Sequence, residues 1–360
     1  MLTPRNGILN IKPHMLATPA GDGAVARVNL ASNESALGPS PNALAAAHAA
    51  LGAIERYPEG GAARLGDAIG AAFGLDPQRI VCGHGSDELL GRLARAYLDP
   101  GDELIHSVHG YLKFPNYAHA MGAQPVAAPD LGFRASVDGM LACVTPRTRM
   151  VMLANPDNPT GSYLAGPDIR RLHAGLPDDV LLVLDSAYAE YVAAADYELP
   201  VALSDAAQNV VMTRTFSKIF GLAGMRLGWL YGPPAIVDVL RRLSITFPVS
   251  APAAAAGIAA VSDRAHTDRV CTYTRDVRRW FAQALADLGL HVYPSQGNFV
   301  LVRFDDAARP AQGACRHLHE RGIVVRMFGA PDYRDMVRFT VGLEAEMRAA
   351  ADALRGYLRG

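Results

Sequence analysis

The chain has 360 residues, of which 50% are hydrophobic and 19% charged, and its formal net charge is −1. That balance suits a globular enzyme and speaks against nucleic acid or an anionic membrane surface as a main partner, so anionic ligands must be held by local groups. The length suffices for a large core and two domains.

Residues 1–20 carry Pro4, Pro13 and Pro19 and lack the apolar core of a secretion signal, and no apolar stretch is long enough to span a bilayer. A cytoplasmic location is expected. Short apolar runs at 79–82, 103–106, 150–153, 180–184 and 210–212 stop at Gly, Asn or Asp and do not alternate with polar residues. They predict strands buried on both faces, hence a mostly parallel α/β sheet, with helical stretches such as 87–98 and 168–176 between them. Residues 225–231 predict one more strand, which could run antiparallel. The texture changes near residue 250. A helical region over 253–288 leads into alternating, strand-like runs at 291–293 and 298–304, a helix at 311–320, strands at 323–327 and 337–341, and a last helix from Glu344. The expected organisation is an N-terminal segment, 1–30, packed at a cleft with the small domain; a large α/β domain, 31–250; and a smaller α+β domain, 251–360.

Cys82, Cys143, Cys271 and Cys315 lie far apart and form no C-x-x-C pair, so neither a zinc site nor a disulfide framework is expected, and no metal is predicted. Among 34 lysines and arginines only Lys12, Lys113 and Lys218 are lysine. Lys218 lies in Thr213-Arg214-Thr215-Phe216-Ser217-Lys218, with Arg226 eight residues on. A guanidinium stays protonated, whereas an ammonium in a dry, cationic site can lose its proton and attack a carbonyl. Thr215, Ser217 and Arg226 supply two hydroxyls and a fork of donors that can hold a phosphate.

Other segments add parts. Cys82-Gly83-His84-Gly85-Ser86-Asp87-Glu88 joins a strand to a helix. It is either a phosphate seat at the positive helix end, with Gly85 allowing close approach and the Ser86 and Asp87 amides as donors, or a plain turn capped by Ser or Asp. There is no G-x-G-x-x-G or G-x-x-x-x-G-K motif for a dinucleotide or nucleoside triphosphate. Asn155-Pro156-Asp157-Asn158-Pro159-Thr160-Gly161 makes a rigid turn at the carboxyl edge of the sheet, where ligands of open α/β sheets sit, and Asn158 can donate there. Asp185 ends the most hydrophobic strand and Tyr188 follows it. A buried carboxylate there needs a cation, such as a protonated pyridine nitrogen, unless it caps a helix. Arg326 and Arg338 interrupt apolar runs and face either solvent or a cleft.

These motifs, from Asn33-Glu34 and Arg56-Tyr57-Pro58 through to Arg338-Phe339-Thr340-Val341-Gly342, resemble the fold-type I pyridoxal-phosphate-dependent aminotransferases over nearly the whole chain, and within them most closely the histidinol-phosphate aminotransferases. The resemblance implies pyridoxal 5'-phosphate as cofactor, Lys218 as its Schiff-base lysine and Asp185 as the partner of its ring nitrogen. It implies Tyr188 and Asn158 as partners of the ring's phenolic oxygen and Tyr111 as the ring stacked on it. The phosphate cup would comprise Gly85, Ser86, Asp87, Thr215, Ser217 and Arg226. Tyr57 would reach the site of a neighbouring subunit in a homodimer. Arg338 would clamp the substrate's α-carboxylate and Arg326 its distal phosphate. The implied reaction is ping-pong transamination from histidinol phosphate to 2-oxoglutarate in histidine biosynthesis. An aromatic amino acid aminotransferase, a threonine-phosphate decarboxylase of the same fold and a non-catalytic cofactor-binding module are the alternatives. The chain departs from the family pattern at Ser186, at Lys12-Pro13-His14, where a tyrosine is usual and His14 is the candidate replacement, and around Lys113 between Tyr111 and Tyr117.

Overall fold

The computed structural model describes residues 4–11 and 28–359; Lys12 and His14 lie outside the described residues. Twelve strands are described: β1 (Val28–Asn29), β2 (Ile80–Gly83), β3 (Glu103–Ser107), β4 (Gln124–Ala128), β5 (Thr148–Ala154), β6 (Leu181–Asp185), β7 (Val210–Thr215), β8 (Gly228–Tyr231), β9 (His291–Val292), β10 (Phe299–Arg303), β11 (Ile323–Val324) and β12 (Met336–Thr340). Seven of them form one sheet in the order β2-β8-β7-β6-β5-β3-β4. All are parallel except β8, which runs antiparallel to both β2 and β7.

The central strands lack alternation because both their faces are buried. Met150, Met152, Leu181 and Val183 pack into one core with the helix Ser86–Tyr97. Their neighbours Val151, Leu153, Leu182 and Leu184 pack into another on the opposite face, against the helix Gly166–Ala174. Each strand thus feeds two cores, and only apolar residues satisfy both. Farther along that second face, Trp229, Phe216 and the alanine-rich helix Ala251–Ser262 form a third core.

The smaller α+β unit is built on the antiparallel sheet β12-β10-β9. The helices Arg264–Ala286, Ala311–His319 and Glu344–Arg359 cover it, with Phe281, Phe339 and Met347 fully buried between them. β1 pairs in parallel with β11, and the Thr340 amide donates to Leu30 O at 2.8 Å, so the chain just before residue 31 is stitched to this unit. Residues 4–11 lie elsewhere, with Arg5 donating to Ala120 O at 2.6 Å.

The structure departs from the sequence-based expectation in three places. The helical region over 253–288 is two helices, broken at Asp263, whose carboxylate accepts from His266 N at 3.1 Å and starts the second. β4 was not foreseen: it contains Pro125, which a sheet tolerates at an edge, and β4 pairs only with β3. The run at 323–327 pairs for two residues only, after which Arg326 forms a single antiparallel bridge to Arg338. No described helix is long and apolar enough to cross a membrane.

Candidate active site

The carboxyl ends of β5, β6 and β7, the loop after β7 and the start of the helix Ser86–Tyr97 converge on one region. Asp185, the last residue of β6, is buried there. It caps no helix, since the next helical turn is Ala189–Tyr191 with Tyr188 before it. Thr213 Oγ1 donates to Asp185 Oδ1 at 2.9 Å. No cation forms an ion pair with it among the described residues, so burial lifts its pKa to about 6 despite that bond and the attraction of Lys218.

Tyr188 and Asn158 lie at the centre of a polar chain that also reaches Asn33 and Arg338. The Tyr188 hydroxyl accepts from Asn33 Nδ2 at 3.0 Å and from Asn158 Nδ2 at 3.3 Å. Asn158 Oδ1 accepts from Arg338 Nη1 at 2.6 Å, and Arg338 Nη2 donates to Ala31 O at 2.6 Å. Arg338 is buried, and its Nε is a buried donor with no partner among the described residues. Its carbon lies 5.4 Å from the Phe299 ring centre and 5.6 Å from that of Phe328. Arg326 joins it through paired backbone bonds of 3.1 and 2.9 Å and lies 5.9 Å from the same Phe328 ring.

Lys218 Nζ donates to Ser32 O at 3.1 Å and lies 5.9 Å from the centre of the Tyr188 ring. The side chain is half-buried and enclosed by protein on most sides. Burial first, then the positive charges of Arg338 and Arg226, lower its pKa to about 8, while Glu34 and Asp185 oppose the shift. An amine so placed reaches its nucleophilic form near neutral pH.

The helix Ser86–Tyr97 follows Gly85, which has φ +85° and makes no side-chain cap. The first-turn amides are therefore left for an external acceptor. A Cβ on Gly85 would stand 2.9 Å from Arg226 Nη2, and one on Gly228 would collide with Ser86 N, so both glycines permit the close approach of helix start, β8 and Arg226. Beside them Ser217 N donates to Thr215 Oγ1 at 3.1 Å and Arg226 Nη1 to Ser217 Oγ at 3.5 Å.

These groups fit pyridoxal 5'-phosphate. An uncapped helix end with two hydroxyls and an arginine suits its phosphate. A buried carboxylate without a cation suits its ring nitrogen, and an amine of lowered pKa suits its aldehyde.

Of the residues singled out from the sequence, Lys218, Asp185, Tyr188, Asn158, Thr215, Ser217, Arg226, Gly85, Ser86, Arg338 and Arg326 are brought together. Tyr111 packs edge-on to Phe114 at 5.3 Å, and Asp87 and Asp185 both act on its hydroxyl, whose pKa burial pushes up. The Asp87 carboxylate turns to Lys113 and Tyr117. Tyr57 stands apart: it is 83% exposed and stacked on Phe247 at 4.5 Å. Sequence reasoning gave no role to Asn33 or Phe328. Asn33 has φ +54°, tolerable for Asn, and meets a tyrosine 155 residues away, a pairing no local pattern reveals.

The family described as aminotransferase class I and II matches residues 26–354. The histidinol-phosphate aminotransferase of Rhodospirillum centenum is 52% identical over 357 residues, 99% of each chain. That of Nitrobacter winogradskyi is 45% identical over 357 residues, 99% of this chain and 98% of its own. Among solved structures, the histidinol-phosphate aminotransferase from Sinorhizobium meliloti in complex with pyridoxal-5'-phosphate superposes with a TM-score of 0.88 at 32% identity, covering 92% of this chain and 91% of that one.

Proposed function

The chain belongs to the aminotransferase class I and II family, and we propose that it moves the amino group of histidinol phosphate to 2-oxoglutarate, in histidine biosynthesis. The observation that carries the catalytic assignment is the buried Asp185 with no ion-pair partner among the described residues, set in the same cluster as a lysine whose pKa is lowered to about 8. The substrate follows from full-length relatives of that name at 45–52% identity.

When bound, pyridoxal 5'-phosphate supplies an electron sink for the carbanion left on the substrate's α-carbon. The residues do the rest. Asp185 would accept a hydrogen bond from the ring nitrogen and favour its protonated form, which the electron sink requires. Ser86 and Asp87 amides, Thr215, Ser217 and Arg226 anchor the phosphate. Tyr188 and Asn158 would hold the phenolic oxygen, and Tyr111 would cover one face of the ring. Lys218 would hold the cofactor's aldehyde end and would serve as the base that takes the proton from the substrate's α-carbon and as the acid that delivers it to the neighbouring carbon of the cofactor. Arg338, a buried cation with an unpaired Nε, receives the α-carboxylate of the 2-oxo acid. Histidinol phosphate carries a phosphoester in that place, and the adjacent Arg326 extends the positive surface to meet the larger dianion. Exposed Tyr57 reaches the site of a second copy in a homodimer, and the enzyme works in the cytoplasm.

A half-reaction screen tests the assignment. Holoenzyme is mixed in turn with histidinol phosphate, phenylalanine, tyrosine and phosphothreonine while the cofactor's aldehyde absorbance is followed. Loss of that absorbance with histidinol phosphate far faster than with the others is expected. Preference for an aromatic amino acid, or carbon dioxide release from phosphothreonine, would overturn the substrate.

A further inference from the structure

Asp87 poses an electrostatic problem. It is the second residue of the helix whose uncapped amides await a phosphate, and a carboxylate there is drawn to the same positive helix end and repels a phosphate dianion. Its charge also reaches the catalytic cluster, where it pushes up the pKa of both Asp185 and Tyr111. Asp185 serves its purpose only while ionised, so an unbalanced Asp87 works against both ends of the cofactor.

The structure shows how that charge is handled. The Asp87 carboxylate bonds across to the next helix, not to its own. Lys113 Nζ takes Oδ2 at 2.5 Å and the Tyr117 hydroxyl donates to Oδ1, so both oxygens are held by the stretch that follows Tyr111. Lys113 directly precedes the helix Phe114–Met121, and Tyr117 lies within it. In a chain with only three lysines, one of them neutralises this carboxylate.

We propose that Lys113 and Tyr117 are positioning residues for the cofactor: they tie the Asp87 carboxylate to the Phe114–Met121 helix and offset its charge, leaving the helix end free for phosphate. The role concerns the cofactor seat and is independent of the amino donor. Failure of the wild-type chain to take up pyridoxal phosphate would sink the functional reading itself, whereas the variants below test only this step.

The test is equilibrium titration of apo-protein with pyridoxal 5'-phosphate, read by absorbance, for Lys113→Met, Lys113→Arg, Tyr117→Phe, Asp87→Asn and the double variant Asp87→Asn/Lys113→Met. Lys113→Met should weaken binding about fivefold, the upper end for a partly exposed ion pair, and Tyr117→Phe by less. Lys113→Arg should keep wild-type affinity. The decisive result is the double variant, which should recover to within about twofold of wild type because the charge to be offset is gone. A Lys113→Met protein that binds as wild type overturns the proposal. So does a double variant as weak as Lys113→Met, because Lys113 would then only prop the loop under Tyr111. If Lys113→Met does not fold, Tyr117→Phe with and without Asp87→Asn separates the same two outcomes.

Discussion

Two neighbouring residues of β7 meet two carboxylates, one buried and one partly buried, and treat them differently. Thr213 and Arg214 point to opposite faces, as consecutive strand residues must. Thr213 gives Asp185 one neutral hydrogen bond and no charge. Arg214 forms an ion pair with Glu190 and is flanked by the rings of Phe73 and Trp229 at 5.1 and 5.3 Å. The Glu190 site is complete within the protein. Asp185 has no ion-pair partner among the described residues. The difference gives a way to separate a structural acid from a candidate functional one: the structural acid has its counter-ion in the chain.

The comparison can be broken or sharpened by experiment. The largest effect is expected at the group that shares Asp185's cluster: Lys218→Ala should lower turnover by about 10^3-fold or more, the range of a lost acid–base catalyst, in single-turnover assays. Wild-type activity in that variant would end the catalytic assignment. The two carboxylates should then behave as opposites. Glu190→Gln strands Arg214 and should cost about 3–5 kcal/mol of stability by denaturant melts, while activity per folded molecule is kept. Asp185→Ala should raise the barrier by about 3 kcal/mol, as other losses of preorganised charge do, without lowering the melting temperature. If the stability and activity losses fall on the other partner of each pair, the distinction fails.

A pH titration reads the same contrast without chemistry. Asp185 in the apo-protein has a pKa raised to about 6 from 3.8, so between about pH 4 and 6 the folded chain keeps a proton that the unfolded chain has lost. Stability from this group should be full below pH 4 and fall by about 3 kcal/mol as pH rises to 6, then level off. Asp185→Asn should remove that slope, and Glu190→Gln should leave it in place. The smallest effect concerns Lys218. Uptake of pyridoxal phosphate by apo-protein should increase through about pH 8. Arg338→Met removes a repelling charge and should move that midpoint upward; an unmoved midpoint would place the cause in burial and Arg226.

Much of this was legible in the sequence because it is local. The apolar runs that became β5, β6 and β7 state their own burial, and the polar residues that end them, Asp185 and Thr215, mark the carboxyl edge where a ligand sits. Lys218 stood out through the scarcity of lysine. The Pro125 edge strand and the break at Asp263 were missed because each depends on what surrounds the segment.

The sequence by itself determined which side chains end the buried strands and which short turns they occupy, because strand burial and turn chemistry are written in adjacent residues. Only the tertiary structure decided which charges lack a counter-ion. That Arg214 meets Glu190, that Asn33 reaches Tyr188, and that Lys113 rather than the helix end takes Asp87 are outcomes of packing. An electrostatic field depends on distance in space, and residues far apart in the chain set it.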